Sequence, residues 1–315
     1  MRLASRIDEL LYHNFYAKNK VIMQKSKLVS VIVPIYKQEQ TVKEDLQNIY
    51  SVLNKSGYNF ELIAVIDGIN LDNSYNKAQN LTKDKSYKNL KVIGYKKNKG
   101  KGQAIRYGMH HSKGDIVLFL DGGMDINPKG INTLLKEMQK YDADIVITSK
   151  LHQDSTINNY PLWRTKGYYY LVKVLFGLNV HDTQTGLKAY KREVLDEVLD
   201  KLVVKKYAFD IEVLAVANSK GFTNIKEAPV EIDYKATESS LKLKELLTNK
   251  IVKDFIWETF AIWYRLKIIK YYDSDADRVK VYDDDLEMYV NTGALKGNKQ
   301  ILLKITDNIL NLIKR

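Results

Sequence analysis

Three short polar segments end apolar runs in the first half of the chain: Pro34-Ile35-Tyr36, Asp67-Gly68 and Asp121-Gly122-Gly123. In open α/β sheets, ligands bind outside the carboxyl ends of the strands, so residues that close strands converge on one edge. A lysine- and glycine-rich loop, Lys99-Gly100-Lys101-Gly102, lies between the second and third segments. It fits neither the P-loop nor the dinucleotide fingerprint. The chain has no cysteine, which excludes a thiol nucleophile, a disulfide framework and Cys-ligated zinc. The histidines, His13, His110, His111, His152 and His181, show no metal-ligand spacing. The net charge is +12 and the pI is near 9.3, which points to an anionic partner. Composition does not choose among nucleic acid, an acidic membrane surface and a phosphorylated ligand.

The elements that must position these residues alternate. Apolar strand-like runs cover residues 28–33, 60–66, 90–95, 115–120 and 143–148. Helical patterns fall near 41–53, 73–82, from 103, and 131–140. The strands are continuously apolar rather than alternating, which predicts a mostly parallel sheet covered by helices on both faces. Beyond residue 150 the pattern is less regular. It predicts an aromatic-rich helix over 160–178, a polar turn leading into a strand over 182–190, and a helix over 209–218. A strand containing Pro229 is expected over 225–234, then a long basic amphipathic helix or pair over 241–271, and a terminal amphipathic helix over 300–314. Residues 1–27 read as an amphipathic lead-in, with Ile7, Leu10, Leu11 and Phe15 at helical spacing.

The 315 residues are 45% hydrophobic, which excludes a wholly disordered chain and allows one large domain or two ordinary ones. No apolar run approaches the ~20 residues of a membrane span, and no secretory signal is evident. Residues 273–287 hold seven acidic and two basic side chains, so that stretch stands at −5 and the rest at +17 against the overall +12.

The run Val29-Ser30-Val31-Ile32-Val33-Pro34-Ile35-Tyr36 resembles the opening strand of family 2 glycosyltransferases with the GT-A fold. So do the strand ending on Asp67, Lys99-Gly100-Lys101-Gly102-Gln103-Ala104 with Gly108, and Gly114-Asp115 before the strand ending on Asp121. Asp182-Thr183-Gln184-Thr185-Gly186-Leu187-Lys188, Phe209-Asp210-Ile211-Glu212 and Glu227-Ala228-Pro229-Val230 narrow the resemblance to polyprenyl (dolichyl) phosphate mannosyl- and glucosyltransferases. It covers roughly residues 28–245, and the ordered set of motifs is far more specific than any one of them.

The resemblance implies an inverting enzyme that moves a hexose from a UDP- or GDP-sugar to a polyprenyl phosphate, with Mg²⁺ or Mn²⁺ neutralising the leaving diphosphate. On it, Pro34, Tyr36, Asp67, Lys99, Arg106 and Asp121 lie on the nucleotide-sugar side. Asp121 matches the first Asp of the family's Asp-x-Asp metal motif, Gly123 replaces the second, and Asp125 is the further metal oxygen. Lys150, Arg164, Lys235 and Ser240 match acceptor-phosphate positions. Asp182 and Gln184 match the turn lining the sugar and acceptor side, and Asp210 and Glu212 lie on a nearby helix.

The expected architecture is therefore an α/β, Rossmann-like GT-A domain over 28–240. A helical lead-in over 1–27 precedes it, and C-terminal amphipathic helices with the acidic segment follow over 241–315. The expected setting is peripheral, at the cytoplasmic face of a membrane. The anionic bilayer and the lipid phosphate, not nucleic acid, take up the cationic excess, since no nucleic-acid reader motif is present. A family 2 transferase acting on a glycan hydroxyl would need a base, for which Asp182 and Asp210 are the candidates. A non-catalytic nucleotide-sugar-binding descendant is the reading motivated by Gly123.

Overall fold

The computed structural model describes residues 27–158, 160–233, 249–273 and 277–296. Its centre is a seven-stranded sheet of order β3-β2-β1-β4-β7-β5-β8. The strands are β1 (Leu28–Ile35), β2 (Asn59–Asp67), β3 (Leu90–Tyr95), β4 (Ile116–Leu120), β5 (Ile145–Thr148), β7 (Leu187–Lys191) and β8 (Ile225–Ala228). Every neighbouring pair is parallel except those made by β7, which runs against both β4 and β5. The mostly parallel sheet expected from the apolar runs is thus present, with one reversed strand.

Alternate residues of each strand feed two cores, as the period of two requires. Val31, Val33, Leu62, Ala64, Leu118 and Leu120 pack beneath α1 (Val42–Ser56), α2 (Ser74–Leu81) and α4 (Gly130–Tyr141). Ile32, Ile63, Val65, Val117, Phe119 and Ile147 face α3 (Lys101–His110), α5 (Trp163–Phe176), α6 (Arg192–Val198), α7 (Phe209–Ser219) and α8 (Lys250–Trp263). The crossover from β3 to β4 packs tightly because Gly108 on α3 lies against Ile32 of β1. A Cβ there would sit 2.4 Å from the Ile32 Cγ2.

Two expectations change at the C-terminal half. The strand foreseen over 225–234 is split at Pro229, which has no N–H to give a ladder. β8 stops at Ala228, and β9 (Glu231–Asp233) pairs instead with β6 (Thr156–Asn158) in a separate two-stranded sheet. The acidic stretch builds a hairpin, β10 (Arg278–Asp283) and β11 (Met288–Leu295), with Leu286, Val290 and Leu295 buried in the same core as α7. The basic helix foreseen over 241–271 is described from residue 249. Asn249 caps α8 by accepting from the Ile251 N–H at 2.8 Å, and a π-helical turn, Tyr264–Ile268, follows. The lead-in helix and the terminal helix lie outside the described residues. Among the described residues no helix is long and apolar enough to cross a membrane.

Glu212 ties the C-terminal elements to this frame. It is fully buried on α7 and accepts from the Val203 and Val204 N–H groups and from the Tyr272 hydroxyl at 2.7 Å. Removing the carboxylate leaves three donors unpaired, two buried and one part-buried, each costing about 1–3 kcal/mol. Glu212→Ala is therefore expected to lower unfolding free energy by at least ~3 kcal/mol, measured by urea denaturation. A loss under ~1 kcal/mol would contradict this role.

Candidate active site at the carboxyl edge of the sheet

Asp67 closes β2 and organises the lysine-glycine loop. Its two carboxylate oxygens accept from the Lys99 N–H at 2.7 Å, the Gly100 N–H at 2.9 Å and the Asn98 side-chain amide at 3.0 Å. Gly100 has φ +99, and a Cβ there would lie 2.6 Å from the Lys205 carbonyl oxygen, so the loop demands glycine. Pro34 and Tyr36 close β1 beside it, and the Tyr36 ring is half exposed. The Lys99 ammonium does not project from the loop; it pairs with Asp283 at 2.7 Å.

Asp121 closes β4 at the centre of the edge. Because β7 is antiparallel, the chain enters it from this same edge, so Thr185-Gly186 lie beside Asp121. The Asp121 N–H donates to the Gly186 carbonyl at 2.8 Å. A Cβ on residue 186 would lie 1.8 Å from Asp121 Oδ2, so only glycine admits the carboxylate. Asp121 Oδ2 pairs with the Lys101 ammonium at 2.8 Å, while Oδ1 is buried and has no hydrogen-bond partner. Gly123, where the family motif has its second carboxylate, has φ +93, and Met124 follows at φ +61. A Gly123 side chain would be strained by that backbone, so this stretch takes a path that disfavours Asp. Asp125 lies in the same loop, and its carbonyl accepts from the Asp233 N–H. Among the described residues no three acidic or histidine side chains group into a metal cage.

Two further carboxylates line the edge, each with its own lysine. Asp210, at the start of α7, lies 2.6 Å from the Lys188 ammonium, which also donates to the Thr185 carbonyl; both residues are buried. Burial pulls the Lys188 pKa below the ordinary lysine value, and Asp210 offsets only part of this. Burial also acts on Lys101, but there Asp121 and Asp210 outweigh it and hold the pKa above the ordinary value. The Lys188 and Lys101 ammonium groups lie 5.1 and 5.9 Å from the Phe119 ring centroid. Asp182 accepts the Lys150 N–H at 2.8 Å and pairs with the Lys150 ammonium at 2.9 Å. Its second oxygen accepts the Gln184 N–H at 3.1 Å.

Beside Asp182 opens a cavity of about 400 Å³ between α5 and α8. Its walls are mainly aromatic and aliphatic, including Tyr160, Trp163, Tyr168 and Phe255, with Arg164, Asp182 and Gln184 at its polar end. Lys150 is buried, with its ammonium 5.3 Å from the Tyr160 ring centroid.

The edge thus gathers Pro34, Tyr36, Asp67, Lys99, Asp121, Asp125, Lys150, Arg164, Asp182 and Asp210. Arg106 is a correction. Its guanidinium is buried, donating to the Leu202 carbonyl at 2.7 Å and to the Gln103 side chain. It braces α3 against the 199–202 segment, and its guanidinium is turned into the core. Lys235 and Ser240 lie outside the described residues. Lys101 and Lys188 were not foreseen as site residues. Their signal was position: the former opens a helix after glycine, and the latter is a lysine inside an apolar strand.

The glycosyl transferase family 2 model matches residues 30–199, and the chain belongs to that family. It is 29% identical over 232 residues to the dolichyl-phosphate beta-glucosyltransferase of Homo sapiens, covering 68% of this chain and 69% of that protein. With the Drosophila melanogaster protein of the same description it shares 27% identity over 256 residues, covering 75% and 74%. Glucosyl-3-phosphoglycerate synthase from Mycobacterium tuberculosis, solved with Mn²⁺, uridine diphosphate and phosphoglyceric acid, has the same fold. It superposes with a TM-score of 0.54 at 16% identity, over 88% of this chain and 91% of that one.

The Lys188–Asp210 pair yields a direct test. Lys188→Met strands a buried carboxylate and is expected to cost about 3–5 kcal/mol, whereas Lys188→Met with Asp210→Leu recovers most of that loss. Chemical denaturation of the single and double variants checks it. Additive losses would mean that the two groups are not coupled.

Proposed function

We propose that this glycosyltransferase moves a hexose, with inversion, from a UDP- or GDP-sugar to a polyprenyl phosphate at the surface of an anionic membrane. The observation that carries the reading is Arg164 lining a mainly apolar cavity that opens beside the Lys150–Asp182 pair, at the edge that holds Asp121. An amphiphilic phosphate suits such a pocket: its charge meets Arg164 and its chain meets the aromatic walls. The dolichyl-phosphate glucosyltransferase relatives support the same acceptor class.

The acceptor oxygen of a phosphate is already anionic near neutral pH. It forms the new bond to the anomeric carbon as the bond to the nucleoside diphosphate breaks, and the diphosphate leaves with that electron pair. No proton has to be removed, so no general base is needed. Asp182 and Asp210 support this reading over a hydroxyl acceptor, because each is already bound to a lysine. The chain's task is then to align acceptor and donor and to stabilise the leaving charge.

Asp121 Oδ1, buried and without a hydrogen-bond partner, fits a hard divalent cation. Asp121 and Asp125 would hold Mg²⁺ or Mn²⁺, which supplies Lewis-acid neutralisation of the departing diphosphate. Lys101, on the other Asp121 oxygen, adds a positive charge at the same place. That arrangement suits a site where Gly123 has replaced a carboxylate.

Exposed Trp163, Tyr170 and Val174 on α5 and Ile251 and Phe260 on α8 adjoin exposed Lys166, Lys173, Lys250 and Lys253. This mixture supports peripheral seating on anionic lipid. The test uses the purified protein on vesicles containing polyprenyl phosphate. Arg164→Ala is expected to raise the acceptor KM by roughly 10–100-fold, with the donor KM little changed. Sedimentation with anionic vesicles is expected to weaken as salt rises. An unchanged acceptor KM would remove the phosphate-binding role of Arg164. Nucleotide binding that needs neither metal nor Asp121, without transfer, would instead favour a non-catalytic binder.

A further inference from the structure

The β10–β11 hairpin lies beyond the 30–199 match to the family model, yet its tip reaches the nucleotide edge. The Asp285 carboxylate accepts from the Lys96 N–H at 2.7 Å and the Lys97 N–H at 3.0 Å. Asp283 pairs with the Lys99 ammonium at 2.7 Å, and Asp285 lies 3.8 Å from the same nitrogen. From the other side, Asp67 accepts from the Lys99 and Gly100 N–H groups. Four of the five backbone N–H groups of residues 96–100 are therefore held by two carboxylates, one at the end of β2 and one 189 positions from Lys96 in the chain.

The physical need is visible in the sheet. β3 is its edge strand, so the loop that leaves β3 has no further strand beside it. Its free N–H groups must find another acceptor or stay fluctuating in water. The hairpin that supplies one is itself fixed. Leu286, Val290 and Leu295 are buried, and the Asn291 side chain donates to the Asp200 and Leu202 carbonyls at 2.7 and 3.1 Å. At the tip, Asp283 accepts from the Asp285 and Leu286 N–H groups, which sets the aim of the Asp285 carboxylate.

We propose that Asp285 is a positioning residue for the nucleotide-sugar site, holding the 96–100 loop from outside so that Asp67 and the loop are preset for the nucleoside diphosphate. This rests on the donor reading above. The residue touches no ligand; it acts through the loop, and its loss should appear as weaker donor binding rather than slower chemistry.

The test combines amide hydrogen exchange of the full chain with calorimetry of UDP and GDP in the presence of Mn²⁺. In Asp285→Ala, the Lys96 and Lys97 amides should lose protection, and the Asp67-held Lys99 and Gly100 amides should exchange about tenfold faster. Affinity for the nucleoside diphosphate should fall about tenfold, the donor KM should rise with it, and Asp285→Glu should restore part of both. Asp284→Ala removes the same charge from the exposed neighbour and should change neither, which separates position from net charge. If Asp285→Ala does not fold, the isosteric Asp285→Asn takes its place. Unchanged exchange at Lys99 and Gly100 with unchanged affinity would overturn the proposal. Failure of the wild type to bind either nucleotide would sink the donor reading, while the exchange coupling still decides whether the hairpin holds the loop.

Discussion

The close approach of Gly186 to Asp121 governs the rest of the site. Asp121 can stand at the middle of the edge only because the residue opposite has no Cβ. That residue is opposite only because β7 runs against β4 and β5, so its beginning, not its end, falls at the carboxyl edge. The reversal brings the 182–188 segment into line with the strand ends. Asp182 then meets Lys150 from the end of β5, and Lys188 meets Asp210 from α7. Had β7 been parallel, those groups would have opened at the opposite edge, away from Asp67 and Asp121.

The charges gathered there come as pairs. Lys101–Asp121, Lys150–Asp182 and Lys188–Asp210 each oppose an ammonium and a carboxylate within 2.9 Å. The Lys150–Asp182 and Lys188–Asp210 pairs are buried and Lys101–Asp121 is partly exposed; buried pairs add little net stability, because desolvation consumes most of the Coulombic gain. What they provide is a fixed orientation of the side chains at the edge. The pairing also determines which chemistry suits the edge. A carboxylate already bound to a lysine is a poor proton acceptor, and a phosphate nucleophile has no proton to give up. The 96–100 loop shows the same use of carboxylates, with Asp67 and Asp285 accepting from backbone amides.

Much of this was legible in the chain. Strands β1 to β5 coincide with mainly apolar runs, and Asp67-Gly68 and Asp121-Gly122 stop β2 and β4 as their sequence suggests. Direction was not legible: nothing in Leu187-Lys188-Ala189-Tyr190 distinguishes a reversed strand from a parallel one. Helix faces were only partly so. Lys101 and Arg106 share α3, but five residues turn the helix by about 140° beyond a full turn, which sends one to Asp121 and the other into the core. The acidic stretch read as charge alone. Its hairpin depends on Leu286, Val290 and Leu295 meeting a core whose other members lie far away in sequence.

The proposed acceptor is a phosphate oxygen that needs no base. The most direct measurement offers the purified protein UDP- and GDP-linked hexoses on vesicles containing either polyprenyl phosphate or the corresponding polyprenol, and follows labelled sugar into lipid. Transfer to the phosphate with one of the donors, and none to the alcohol, is the predicted result. Transfer to the polyprenol or to a glycan hydroxyl, with the phosphate left untouched, would contradict it.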